Sequence, residues 1–166
     1  MKYKNTLLSF CSALALVLTG SVVAEVSSDT PSDRPIHNAA RLGSGAAVQA
    51  ILKADPGARD LRTDQGSMPL HLAATNPDLS AIKALLAAGA DTNARDIDGL
   101  TPLHMAAYTQ NAKHAQLLLE NGADPYAKTH AGRDPTSLAR KAMANEVAGV
   151  ISLWILKGCV AGKPCL

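Results

Sequence analysis

Residues 101–107 have the sequence TPLHMAA, and a near copy, MPLHLAA, stands 33 residues earlier at 68–74. A third copy, PIHNAA, occupies 35–40, and a degenerate one, DPTSLA, occupies 134–139. Proline loses no hydrogen bond at the first position of a helix, so the proline of each copy predicts a helix start. The chain therefore contains about four copies of one short helical unit.

Further positions share this register. A second apolar run follows each copy, with Leu85, Leu118 and Ile151 at equivalent places. Gly89 is expected to end such a second helix in a left-handed conformation, and Gly99 is expected at a positive φ in a projecting turn. Each unit is thus predicted to be a helix–turn–helix followed by a turn.

The 33-residue period and the Thr-Pro-Leu-His-x-Ala core resemble the ankyrin repeat family. The resemblance implies an all-α solenoid of about four helix–turn–helix repeats with projecting β-turns or hairpins. Such repeats cannot bury their apolar faces alone and are stabilised by stacking. The predicted repeat domain spans 33–157, divided into repeats at about 33–62, 63–95, 96–128 and 129–157.

The first 24 residues have the pattern of a secretory signal peptide. Lys2 and Lys4 precede an apolar stretch at 7–18, and small residues lead to a predicted cleavage site after Ala24. We predict export to a bacterial periplasm or secretion, with a flexible mature start at 25–32. An uncleaved membrane anchor is the alternative, because the apolar stretch is nearly long enough to span a bilayer.

Cleavage would change the charge and the cysteine count. The whole chain has 16 basic and 14 acidic residues, so loss of Lys2 and Lys4 leaves 14 of each. A neutral mature domain provides no electrostatic argument for binding nucleic acid or an anionic membrane. Cysteines 159 and 165 remain, and in an exported chain they are predicted to form a disulfide that closes the tail at 158–166. Trp154 is predicted to pack in a C-terminal cap.

The candidate chemistry is weak. His37, His71 and His104 occupy equivalent repeat positions, too far apart to share a zinc ion, and the resemblance implies that they are structural hydrogen bonders. His114 and His130 are off this row and are predicted to be surface residues. The sequence has no nucleophile elbow, glycine-rich phosphate loop or His-Glu-x-x-His motif. We expect no catalytic residue, no metal, no cofactor and no enzymatic activity.

The resemblance implies instead that a partner protein binds the projecting turns and the inner helix face. Carried over by position, the predicted partner-binding residues are Arg41, Leu42, Asp64, Gln65, Ser67, Thr75, Asn76, Ile97, Asp98, Leu100, Tyr108, Thr109, His130, Arg133 and Lys141. Ile97, Leu100 and Tyr108 are apolar or aromatic, and we predict that they form a small hot spot with a polar rim.

The predicted function is that of an exported, monomeric protein-binding module, acting as an adaptor or an inhibitor. One specific form is an immunity-type inhibitor that occludes a toxin or an exported enzyme. A different class remains open, namely a structural or stress-protective envelope protein without one specific partner.

Overall fold

The computed structural model describes residues 34–163 and 165. The predicted signal peptide and residues 25–32 lie outside this part of the chain. The described residues form eight α-helices, with a short 3₁₀ helix, Pro56–Asp60, after the second, and no β-strand, so the predicted all-α fold is confirmed. The α-helices are α1 Pro35–Arg41, α2 Gly45–Ala54, α3 Pro69–Ala73, α4 Leu79–Ala87, α5 Pro102–Tyr108, α6 Ala112–Glu120, α7 Pro135–Lys141 and α8 Asn145–Leu156.

The helices stack in two layers. The first helices of the pairs, α1, α3, α5 and α7, contact one another in sequence, and the second helices α2, α4, α6 and α8 do the same. Each helix is only 5 to 12 residues long. Helices of this length are marginal in water alone, so their stability comes from packing against the neighbouring repeats.

The core contains leucine and alanine at equivalent positions. Leu70 and Leu103 are fully buried in the first-helix layer, where Ala73 and Ala106 are also buried. Leu85 and Leu118 are fully buried in the second-helix layer. The small alanine side chains let neighbouring helices approach closely, which suits a chain in which only 3% of the residues are aromatic.

Five-residue turns project between successive helix pairs. In the turn at 96–100, the Asp96 N–H donates to the Leu100 carbonyl at 3.0 Å. Gly99 has a φ of 76°, the left-handed conformation that its position predicts. Neighbouring turns are joined as well: the Ile97 N–H donates to the Gln65 carbonyl at 3.1 Å, and the His130 N–H donates to the Asp98 carbonyl at 2.9 Å.

The fourth repeat departs most from the common pattern but keeps its cap. Asp134 replaces threonine at the N-cap of α7, and its carboxylate accepts from the Ser137 N–H at 2.8 Å. This bond satisfies a backbone donor that the helix itself leaves unpaired. The loss of threonine therefore does not remove the helix start.

The C-terminal tail folds back on the last two repeats. Trp154 is buried, and the Gly162 N–H donates to the Glu120 carbonyl at the end of α6, at 2.9 Å. Cys159 and Cys165 are paired with their Cα atoms 5.7 Å apart, a separation typical of disulfides. These contacts place the tail beside the end of α6 in the third repeat. That the tail closes the end of the stack stays a prediction, as does the disulfide itself. Across the described helices, none is long and apolar enough to cross a membrane.

Candidate partner-binding surface

The predicted binding residues form rows at equivalent positions of successive repeats. Along the turns, one row is Asp64, Ile97 and His130, and another is Ser67, Leu100 and Arg133. A further row lies where the first helices end and consists of Arg41, Thr75, Tyr108 and Lys141. The stacking therefore places corresponding residues of neighbouring repeats side by side.

Two adjoining grooves lie between the third and fourth repeats. The first, about 470 Å³, is lined by Tyr108, Arg133, Leu138, Lys141, Ala142 and Met143. The second, about 300 Å³, lies towards the turns and is lined by Asp98, Leu100, Thr129, His130, Ala131, Arg133 and Leu138. Arg133 and Leu138 belong to both, so the two form one continuous depression. We call it the inner groove.

Two large side chains with apolar surface are exposed at the inner groove. Tyr108 is the last residue of α5 and is 68% exposed, and Met143 follows α7 and is 80% exposed. Leu138, on α7, is buried beneath them. Met143 has a φ of 56°, a conformation that is costly for a residue with a side chain.

The predicted apolar hot spot is divided. Leu100 and Tyr108 line the inner groove, but Leu100 is only half-exposed. Ile97 is 54% exposed and lies towards the turn at 63–67, where its Cγ2 would be 3.3 Å from a Cβ on Gly66. Ile97 lines neither groove, so the apolar contribution to this surface comes from Leu100, Tyr108 and Met143.

Three of the predicted binding residues are engaged in the fold itself. The Thr75 hydroxyl donates to the Leu72 carbonyl at 2.7 Å, and the Thr109 hydroxyl donates to the Met105 carbonyl at 2.8 Å. The Asn76 amide donates to the Arg41 carbonyl at 2.8 Å and joins two repeats. These side chains hold the loops that follow the first helices, and a contact with a partner stays a prediction for them.

The remaining predicted residues lie on the first two repeats. Leu42 is 77% exposed after α1, and Asp64 and Gln65 are exposed on the turn at 63–67. Ser67 is half-buried, and its N–H donates to the Thr63 hydroxyl at 3.2 Å. These residues continue the same side of the stack but line none of the grooves described above.

The repeated histidines are structural, as the sequence predicts. In His104, Nδ1 accepts from the Thr101 N–H at 3.1 Å, and Nε2 meets the Arg133 carbonyl at 3.1 Å. Because a backbone N–H only donates and a carbonyl only accepts, the proton of the neutral ring is on Nε2. His71 forms the same pair of bonds with Met68 and Leu100, at 3.1 Å each. His37 does so with Arg34 and Leu61.

Burial lowers the pKa of both His71 and His104 below the ordinary histidine value. These two bonds require the neutral ring. A protonated Nδ1 would carry an N–H directed at the backbone N–H that now donates to it. His71 and His104 therefore each join the start of their own helix to the turn of the next repeat.

The prediction for His114 is wrong. His114 is 2% exposed on α6, and its Nε2 lies 3.3 Å from the Asp78 carbonyl at the start of α4. Burial lowers its pKa as well. Position 114 lies on the face of α6 that packs on the preceding repeat. Because α6 also contains Lys113, Gln116 and Glu120, the sequence does not show which of its polar residues faces that repeat. His130 is exposed, as predicted.

The described residues do not contain a group of three or more histidine, cysteine or acidic side chains that could hold a metal ion. Their buried side-chain nitrogen and oxygen atoms all have hydrogen-bond partners.

Sequence reasoning missed two features of this surface. One is that Leu138, Ala142 and Met143 line the larger groove. The apolar Met143, in a loop, was the sequence feature that could have indicated it. The other is a pair of arginine links between turns: Arg62 Nη1 donates to the Gly66 and Arg95 carbonyls at 2.6 and 2.7 Å. Arg95 Nη1 donates in the same way to the Gly99 and Lys128 carbonyls. Their 33-residue spacing could have revealed them.

Comparison with known proteins agrees with the repeat architecture. A family model described as ankyrin repeats (3 copies) matches residues 36–129, more than half of the chain. The fourth helix pair, α7 and α8, lies outside the matched residues. A search of curated proteins finds no match. On the family match and the stacked helix pairs, this chain belongs to the ankyrin repeat family.

Proposed function

We propose that this protein is an exported, non-enzymatic module that binds a partner protein through the inner groove. Its ankyrin repeats indicate a protein–protein interaction module. The finer proposal is that it acts in a bacterial periplasm as an adaptor or an inhibitor of one partner.

The observation that carries the proposal is the exposure of Tyr108 and Met143 at the inner groove. Each exposes more than two thirds of its surface, above the buried Leu138. Aromatic residues and methionine are enriched at interfaces, and an apolar cluster with a polar rim is the usual form of a binding hot spot. Asp98, His130, Arg133 and Lys141 provide that rim.

The scaffold around the groove supports binding without large rearrangement. The turns at 96–100 and 129–133 are joined by the bond from the His130 N–H to the Asp98 carbonyl and by the side chain of Arg95. His104 joins α5 to the turn that carries Arg133. A surface held in this way loses little conformational entropy on binding, which favours affinity.

Export is proposed from the sequence pattern at 1–24 and from the pair of cysteines in the mature part. The test is the intact mass of the protein recovered from the periplasm or medium of an expressing bacterium. We expect a chain that begins at Glu25 and is two hydrogen masses lighter than its reduced form. A chain retaining residues 1–24 in the membrane fraction would contradict export with cleavage.

The binding proposal is tested with a photo-crosslinking residue at Tyr108. The matched control places the same residue at Lys113, which is exposed on α6 in the second-helix layer of the same repeat. We expect one discrete crosslinked species from Tyr108 that excess unmodified protein abolishes, and none from Lys113. Equal or absent crosslinking at the two positions would contradict binding through the inner groove.

The stoichiometry of the captured complex then separates adaptor from inhibitor. An inhibitor is expected to form a tight 1:1 complex and to abolish an activity of its partner. An adaptor is expected to leave that activity intact and to bind a second protein at the same time.

A further inference from the structure

We infer that the inner groove takes a segment of the partner in which acidic side chains flank one bulky apolar side chain. The inference rests on the proposed function, because it names the chemistry of the partner that binds at the same surface. It follows from the charges, the shape and the apolar lining of the groove.

The charged lining of the larger groove has one sign. Arg133 and Lys141 are its charged residues, on the turn side and on the helix side, and no carboxylate lines it. Both side chains are exposed, and neither forms an ion pair or a side-chain hydrogen bond within the described part of the chain. Two cations facing one cavity without a counter-charge favour an anionic partner.

The nearby carboxylates form no ion pair with these two cations within the described part of the chain. The carboxylate of Asp134 is occupied with the N-cap of α7, where it accepts from the Ser137 N–H. Asp98 lines the smaller groove, on the turn side. The acidic groups of the partner are therefore expected over α7, between Arg133 and Lys141, and away from Asp98.

The larger groove also provides a place for one apolar side chain. Tyr108, Leu138, Ala142 and Met143 line it, and its volume of about 470 Å³ exceeds that of any single side chain. An aromatic or leucine side chain fits between Tyr108 and Met143, with Leu138 beneath it. Carboxylates on either side of that residue would reach the two cations.

The balanced charge of the mature chain favours a protein over a nucleic acid as the partner. From residue 25 onward the chain has 14 basic and 14 acidic residues. A nucleic acid or an anionic membrane is bound by many cations spread over one face. Two cations beside an apolar cavity suit a short acidic segment of a protein.

The test is a selection of random twelve-residue peptides displayed on phage against the immobilised mature protein. A parallel selection uses the charge-reversed variant Arg133→Glu/Lys141→Glu. The matched control is Lys83→Glu/Lys113→Glu, which changes the net charge equally at exposed positions of the second-helix layer. Circular dichroism at 222 nm checks that all three proteins fold.

We expect the unmodified protein and the control to select peptides with aspartate or glutamate beside an aromatic residue or leucine. We expect the charge-reversed variant to select lysine or arginine at the same places. The best acidic peptide, labelled with fluorescein, should bind the charge-reversed variant at least about tenfold more weakly by fluorescence anisotropy, whereas the control should bind it as the unmodified protein does.

The outcomes separate this inference from the proposed function. Peptides that lack an acidic bias but lose binding in Tyr108→Ser/Met143→Ser would overturn the inference and leave the groove as a binding site. Peptides indifferent to both double variants, or no enrichment at all, would overturn both. A charge-dependent preference for a twelve-nucleotide single-stranded DNA or for phosphatidylglycerol vesicles over the peptides would also overturn the inference.

Discussion

At the scale of single residues, the side chain of His104 connects the third repeat to the fourth. It caps α5 through Thr101 and holds the next turn through Arg133, at 3.1 Å in each case. The sequence motif that places a histidine three residues after the cap makes the first bond predictable. The second bond depends on where the next repeat lies, and the family resemblance alone pointed to it.

The stability of the protein is predicted to fall as the pH falls from 7.5 to 5.5. Burial lowers the pKa of His71, His104 and His114 in the folded state, while in the unfolded chain they titrate near the ordinary value of about 6.5. The unfolded state thus binds protons first, so the stabilisation is complete above that value and decreases below it. Urea unfolding followed at 222 nm measures this dependence.

The control is His71→Gln/His104→Gln, which removes two of the titrating rings. It should be less stable at pH 7.5 but should lose less additional stability on acidification. An unchanged pH dependence in the double variant would contradict the role given to these histidines.

Met143→Gly is predicted to stabilise the protein and to weaken partner binding. The φ of 56° at Met143 is costly for a residue with a Cβ, whereas glycine adopts it freely, as Gly43 does at the equivalent place in the first repeat. We expect a gain of up to about 1 kcal/mol in the free energy of unfolding. Loss of the exposed side chain should reduce the affinity for the partner.

Gln110→Gly is the matched control for this prediction. Gln110 has a φ of 63° at the corresponding place in the third repeat, but it does not line the inner groove. It should leave the crosslinking at Tyr108 intact, and its gain in stability should be smaller, because the Gln110 side-chain amide donates to the Ala142 carbonyl at 3.2 Å and glycine removes that bond. A loss of stability in Met143→Gly would show that its side chain contributes more to packing than its exposure indicates.

At the scale of structural elements, the projecting turns are hydrogen-bonded to one another rather than standing as separate loops. A backbone bond joins each turn to the next, and Arg62 and Arg95 each bridge the same gaps with a side chain. Helix starts, helix ends and turn positions could all be predicted, because proline, glycine and capping residues act locally. The side-chain bridges span about 33 residues, and only stacking brings their ends together.

Arg95→Met is predicted to destabilise the protein by about 1 kcal/mol. The change keeps the apolar stem but removes the bonds from Nη1 to the Gly99 and Lys128 carbonyls. The amide of His130, which donates across the same gap, should also exchange with solvent faster. Urea unfolding and hydrogen exchange measured by NMR provide the two readouts.

Lys128→Met is the control, because Lys128 occupies the equivalent position of the last turn and makes no side-chain hydrogen bond within the described residues. Its effect on stability is expected to be close to zero. Equal effects of the two substitutions would mean that loss of charge, and not loss of the link, is responsible.

At the scale of the whole molecule, each repeat contacts its neighbours, so the last repeat has a partner on one side alone. The tail packs beside the junction of the last two repeats: Trp154, Cys159 and Val160 line a cavity of about 430 Å³ with Tyr126 and the end of α6. The burial of the single tryptophan makes its fluorescence a direct probe of this end of the stack.

Cys159→Ser/Cys165→Ser is predicted to shift the Trp154 emission to longer wavelength and to lower the free energy of unfolding by at most about 2 kcal/mol. The bound is small because the closed loop is short and constrains few residues of the unfolded chain. A reducing agent should have the same effect on the unmodified protein and none on the variant. Absence of any effect of reduction on the unmodified protein would contradict the predicted disulfide.

The sequence by itself determined the repeat register and the helix order, and its resemblance to the ankyrin repeat family added the structural role of the repeated histidines. These follow from residues that act within one turn of a helix or recur with the period of the fold. Only the tertiary structure decided that His114 is buried, that Ile97 stands apart and that Met143 completes a groove with Tyr108. The exposure of a side chain depends on the repeat packed beside it. Its position within its own repeat does not specify which of its atoms that neighbouring repeat leaves exposed to solvent.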